Sequence, residues 1–209
     1  MLTTPARYEI ATLSIRLGTA AKAIAGIETY VKDPDAKGHL LGCWMSEVGD
    51  LNQILVLRGF ADDAELAVER RRALATTNPF HCGEAINTMT LESYAPFDWM
   101  PPVEMGKFGS IYEIRTYRLK HGGVQPTSDA WQTAMVERGK ISPLTVAMVA
   151  LDGAPRFTHI WPYRDLNHRA EARGESVRMG IWPPKGGPDW LTGEMRSTLA
   201  LPTAISPLA

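Results

Sequence analysis

Apolar and polar residues alternate along residues 7–16, RYEIATLSIR, with Tyr, Ile and Thr prominent, and this period of two predicts a β-strand. The period then changes. Ala20, Ile24, Ile27 and Val31 recur at three- and four-residue spacings, which predicts a helix over 19–32. Strands follow over about 40–47 and 51–60, joined at "VGD", where Gly49 can take the positive φ of a tight hairpin. Asp62, with Glu65 three residues on, has the form of a helix N-cap and its reciprocal acid, so a helix should start there and run to about Thr76. A strand near 84–94 completes the series.

The series then repeats. At an offset of 104, Tyr8, Glu9, Ile10, Thr12 and Gly18 fall on Tyr112, Glu113, Ile114, Thr116 and Gly122, while Leu40 and Gly49 fall on Leu144 and Gly153. After the third strand the offset slips by one, so that Phe60 meets Tyr163, Asp62 meets Asp165 and Arg70 meets Arg173. Matches in this order predict a duplicated β-α-β-β-α-β unit, the ferredoxin-like arrangement. Residues 1–98 form the first unit and 111–209 the second, whose last strand lies near 195–202. Residues 99–110 link them, overlapping the Pro- and Gly-rich stretch PFDWMPPVEMGKFG at 96–109. A four-stranded sheet with both helices on one face leaves its other face bare. The expected fold class is therefore α+β: two tandem units packing their antiparallel sheets face to face as an α/β barrel within one chain.

Three stretches carry a resemblance to a known family. YEIRTYRLKHG, the GCWMSEVGDLNQILVL hairpin and THIWPYRDLNHRAEAR, taken in order, resemble the recurring pieces of the NIPSNAP family, within the dimeric α/β-barrel superfamily. The resemblance covers both halves and implies tandem NIPSNAP units, one chain supplying what relatives often build from two. Roles of animal members in mitochondria and vesicle traffic do not transfer to a sequence without a targeting segment. More distant relatives include cofactor-independent monooxygenases, haem-degrading enzymes and lactone isomerases, a likeness at the level of fold.

Charge narrows the classes further. Lys plus Arg number 22 against 23 Asp plus Glu, so there is no basic excess to recruit nucleic acid. No run of 18 apolar residues occurs and MLTTPARYEI lacks a secretory h-region, so membrane insertion is not expected and a cytoplasmic location is. Cys43 and Cys82 belong to no CxxC pair, and the five histidines never occur as HxxxH or HxH, so no metal site and no cofactor is expected.

The candidate chemistry lies in the second half. Glu113, Arg115 and Tyr117 alternate onto one face of its first strand, and Phe157, His159, Trp161 and Tyr163 share a face of its third. With the apolar partners Tyr112 and Ile114 serving the helix side, the polar trio should point into the space between the sheets. There Arg115 could hold a carboxylate or enolate oxygen, Trp161 stack on a flat ligand, and His159 act as a base near neutral pH, with Tyr117 beside it. The bland alternatives are a buried Glu113–Arg115 pair and a core histidine. In the first half the corresponding positions are read as Glu9, Ala11 and Leu13, and Gln53, Leu55 and Leu57, which lack this equipment. Glu47 and Asn52, flanking the first hairpin, are rim candidates. The expected function is the binding of a small apolar or weakly acidic ligand or a protein partner. The alternative is a cofactor-independent oxygenase or isomerase acting on an enolizable or aromatic substrate. An open barrel edge would also allow a homodimer.

Overall fold

The computed structural model describes residues 5–209. Its strands are β1 (Arg7–Ile15), β2 (His39–Val48), β3 (Gln53–Phe60), β4 (Ile86–Pro96), β5 (Ile111–Leu119), β6 (Val146–Ala150), β7 (Arg156–Tyr163) and β8 (Leu191–Pro202). Its helices are α1 (Ala20–Val31), α2 (Asp63–Leu74), α3 (Val124–Ile141) and α4 (Leu166–Arg178). The strands close into a barrel in the order β1-β3-β2-β8-β5-β7-β6-β4. Each half contributes four adjacent strands, and two seams join them. At one, β2 runs antiparallel to β8 from Trp44 opposite Pro202 to Val48 opposite Leu199; at the other, Tyr94, Ala95 and Pro96 of β4 lie opposite Ala150, Val149 and Met148 of β6. The two sheets thus meet at their edges as well as across their faces. This corrects the open edge on which a homodimer was expected, since every strand has a neighbour on both sides.

Local chemistry places the elements as the sequence suggests. Asp62 caps α2 by accepting the Glu65 N–H at 2.9 Å, and the Glu65 carboxylate accepts the Ala61 N–H at 3.0 Å. Asp165 caps α4 in the same way through the His168 N–H, at 2.8 Å. Gly49 (φ 114°) and Gly153 (φ 67°) turn the two matching hairpins. The first hairpin is one residue longer and passes through Asn52 at φ 54°. The slip in the repeat therefore falls in this loop, before β3 rather than after it. Glu9 lies opposite Arg58 and Glu113 opposite Trp161, so the first-half counterparts of Phe157, His159 and Trp161 are Ile54, Val56 and Arg58, not Gln53, Leu55 and Leu57.

Alternation on the strands divides the apolar residues into three bodies. Tyr8, Trp44, Leu57, Tyr94, Tyr112 and Ile160 fill the barrel interior, where the Trp44 and Tyr112 rings pack across the halves with centroids 5.1 Å apart. Leu208 joins this cluster, its N–H donating to the Leu41 carbonyl at 3.1 Å. Between the first sheet and its helices lie Leu13, Ile27, Tyr30, Val56 and Phe80; between the second sheet and its helices lie Trp131, Phe157, Trp161, Tyr163 and Ala172. Burying each large side chain contributes on the order of 1.5–3 kcal/mol.

This division overturns the expected direction of the polar trio. Tyr112 and Ile114 face the barrel interior, and Thr116 joins them, its hydroxyl bonded to Thr158 at 2.7 Å with Thr158 in turn reaching the Tyr94 hydroxyl at 3.2 Å. Glu113, Arg115 and Tyr117 therefore face the helices. The physical reason is that aromatic rings from both halves already fill the interior, while α4 supplies the arginines that a buried glutamate needs.

Candidate functional site

The residues singled out by sequence do gather, but in the layer between the second sheet and α3 and α4. Antiparallel pairing sets Glu113 opposite Trp161, Arg115 opposite His159 and Tyr117 opposite Phe157. Glu47 and Asn52 are not part of this group. Glu47 is exposed at the end of β2, and Asn52 shapes the hairpin, its carbonyl accepting the Ile15 N–H at 2.8 Å.

Glu113 is fully buried and heavily partnered. One carboxylate oxygen accepts from Arg169 at 2.6 Å, from the Ser197 hydroxyl at 2.8 Å and from Arg115 at 3.0 Å, and Arg173 stands 3.8 Å from the other. Burial works to raise the carboxyl, but the Arg169 hydrogen bond, the Arg115 charge and Ser197 outweigh it and hold Glu113 below the usual carboxylate range. Arg115 also lies over the Tyr117 ring, 5.2 Å from its centroid.

His159 is only 1% exposed and packed among rings: Trp131 at 4.6 Å, Tyr117 at 5.0 Å and Phe157 at 5.4 Å between centroids. The Trp161 indole N–H donates to its Nδ1 at 2.7 Å. A neutral ring whose Nδ1 accepts must carry its proton on Nε2, so the free nitrogen is an N–H donor rather than a base. Burial, reinforced by the charges of Arg115, Arg173 and Arg138, pushes the imidazole well below its ordinary pKa and keeps it neutral. Nε2 has no partner among the described residues.

Several members of the site escaped the sequence reading. Trp131 and Arg138 come from α3, Arg169 and Arg173 from α4, Ser197 from β8, and Trp182 from the segment after α4. The i,i+4 pair Arg169 and Arg173 was visible in NHRAEARGE, but only tertiary packing turns it onto Glu113. Beside His159 a void of about 10 Å³ is enclosed by Tyr117, Trp161 and Tyr163 from the sheet and by Arg138, Arg173 and Trp182 from the helical side. It has room for about one water molecule. The site is thus closed as it stands, and its own side chains fill it. A larger cavity, about 540 Å³, lies between α3 and residues 180–190 and is lined by none of the residues that the sequence singled out.

Other polar and thiol side chains have plain roles. In the run Arg70–Arg72, Arg70 donates to Ser93 at 2.5 Å and Arg72 lies 3.5 Å from the Tyr30 ring centroid, while Arg71 is exposed. Burial pushes both Cys43 and Cys82 up to about 11, which keeps them as thiols. Among the described residues no three His, Cys, Asp or Glu side chains are grouped to hold a metal ion, and no helix is long and apolar enough to cross a membrane.

A closed eight-stranded barrel assembled from two ferredoxin-like units, each with its helices outside, is the architecture of a dimeric α/β barrel contained in one chain. The NIPSNAP family model matches it twice, over residues 8–101 and 112–207, and the chain belongs to that family. A Dictyostelium discoideum relative, Protein NipSnap homolog, is 24% identical over 147 residues, which cover 68% of this chain and 65% of that protein. Among solved structures, a monooxygenase candidate from Lactobacillus acidophilus superposes with a TM-score of 0.67 at 12% identity, over 95% of this chain and 94% of that one. An anthrone oxidase-like protein gives 0.64 at 11% identity, over 94% and 91% respectively. At such identities the superpositions report the shared fold.

Proposed function

We propose that this NIPSNAP protein binds a small, flat molecule between the sheet and the helices of its second half. One observation carries the reading: His159, whose Nε2–H has no partner, lines a void walled by Tyr117, Trp161, Tyr163 and Trp182. A buried donor without an acceptor is costly, by about 1–3 kcal/mol, and a ligand atom, displacing the single water the void can hold, supplies the missing partner. Because the void holds no more than a water, binding is coupled to movement of Trp182, the wall residue carried outside regular secondary structure. Arg115 fixes Glu113 and Tyr117 in this scheme, while Phe157 backs the His159 ring.

The test is a thermal-shift screen of the full chain against small aromatic acids, quinols and haemin, with His159→Ala and Arg115→Ala in parallel. A ligand whose stabilisation vanishes in the His159 variant supports the site. One whose stabilisation survives both substitutions clears these residues of the role.

A second reading is a cofactor-independent oxygenase or isomerase. Its support is the likeness in fold to a monooxygenase candidate and an anthrone oxidase-like protein. For His159 to serve as the base there, Trp161 must first release Nδ1 or the tautomer must change. Oxygen uptake with anthrone, measured for the unsubstituted chain and for His159→Ala, separates this reading from simple binding: no uptake above a protein-free control removes the anthrone oxygenase.

A further inference from the structure

The duplicated unit supplies its own control for the charges in the sheet–helix layer. In the first half they balance. Arg58 bridges Glu9 and Glu69, each at 2.6 Å and each carboxylate 0% exposed, and Arg72 holds Glu69 at 2.8 Å. In the second half Trp161 stands where Arg58 does and Ala172 where Glu69 does, so one carboxylate has been lost. Meanwhile Arg115 replaces Ala11, Arg169 replaces Leu66, and the longer α3 brings in Arg138. The result is a single carboxylate, Glu113, among Arg115, Arg138, Arg169 and Arg173.

The surplus is concentrated on one side. Arg115 and Arg169 are committed to Glu113. Arg138 is 3% exposed and its hydrogen bond is a long one, 3.4 Å to the Ser142 carbonyl; its guanidinium otherwise lies over the Trp161 ring at 4.4 Å and the Trp182 ring at 5.8 Å. It lines the void beside His159, and so does Arg173. Two arginines and a histidine therefore line one void, and no carboxylate lines it. Burial depresses the Arg138 pKa, and neither the Tyr163 hydroxyl beside it nor the more distant Glu113 charge offsets this. Glu113 is no substitute, since its nearest contact to this pair is 3.8 Å from Arg173.

We propose that the void is the anion end of the ligand site: Arg138 and Arg173, with the His159 Nε2–H as third donor, take the carboxylate of a small planar acid whose ring lies against Trp161 and Trp182. This deepens the binding reading above and rests on it. Guanidinium suits a carboxylate because its parallel N–H groups match the two oxygens. Trp161 and Trp182 stand edge to face, 6.0 Å apart between centroids at 87°, and so offer a flat body the face of one indole and the edge of the other. A ring too large for the void displaces Trp182, whose segment borders on its other side the cavity of about 540 Å³.

The experiment compares benzoate with benzamide, which share size and ring but differ in charge, by titration calorimetry on the full chain at low chloride. The expected result is benzoate binding at least about tenfold more tightly than benzamide, with the preference abolished in both Arg138→Gln and Arg173→Gln. Arg173 is part-exposed, so its variant reports on the site even where the buried Arg138 substitution disturbs folding. Equal affinities in the unsubstituted chain overturn the anion assignment and leave the binding reading standing. A benzoate preference that persists in both variants places the anion elsewhere and also overturns it. Binding of neither probe at about 10 mM overturns the assignment as well; the broader reading is then decided by the thermal-shift screen, which includes neutral quinols.

Discussion

The Trp161 indole N–H points at Nδ1 of His159 from 2.7 Å, although the two residues are neighbours two positions apart on the same strand. Such a bond dictates the imidazole tautomer, and with it what the ring can offer a ligand. Replacing Trp161 by Phe removes the donor while keeping an aromatic wall. The expected outcome is a shift of the His159 nitrogen resonances away from the Nε2–H pattern in a long-range ¹⁵N experiment. A stability loss of about 1–3 kcal/mol should accompany it, for the buried acceptor left behind.

The same histidine should make the protein sensitive to mild acid. Its folded pKa lies well below the ordinary 6.5, so as pH falls below that value the unfolded chain takes up a proton that the folded chain refuses. Stability from this group is complete above about pH 6.5 and declines as pH falls toward the folded pKa, by up to about 1.4 kcal/mol per unit. Denaturant unfolding of His159→Phe between pH 7 and 5 should give a flatter profile than the unsubstituted chain. Parallel profiles would show that His159 titrates alike in both states.

The first half carries a structural ion network that should respond differently from the second. Arg58→Ala strands the fully buried Glu9 carboxylate and leaves Glu69 to Arg72 and the Lys37 N–H, and should cost about 3–5 kcal/mol in urea unfolding. Arg173→Ala, removing a part-exposed side chain 3.8 Å from its nearest carboxylate, should cost no more than about 1 kcal/mol. A large loss at Arg173 would mean that it supports the fold rather than a ligand.

Closure of the barrel predicts that neither half stands alone. Residues 1–100 would expose Tyr8, Trp44, Leu57 and Tyr94 on a bare sheet face and leave β2 and β4 without their seam partners. Expressed separately, this piece should associate or fail to unfold cooperatively. A monomer with a sharp unfolding transition, measured by ultracentrifugation and calorimetry, would contradict this account of the core.

Much of the fold was legible because local features agreed. The Asp62 cap, the Gly49 turn and the change of period all pointed to one repeating unit, and the second copy confirmed each in turn. Alternation on β5 also gathered Glu113, Arg115 and Tyr117 correctly. It could not say which face met the helices, since a period of two is symmetric and both faces carry aromatic residues. The deciding partners, Arg169 and Arg173, come from α4, 56 and 60 positions after Glu113 in the chain and silent about direction. Arg138 was harder still, because the extra length of α3 that delivers it has no counterpart in the first half.

The two seams have one more consequence. In a barrel assembled from identical subunits, any change to one sheet–helix layer appears in the other, so a site arises in pairs and both copies must tolerate it. Covalent fusion removes that symmetry, leaving Arg58 to hold one layer shut while Trp161 and its neighbours specialise. Stoichiometry then becomes diagnostic: the proposed site predicts one ligand per barrel, not two.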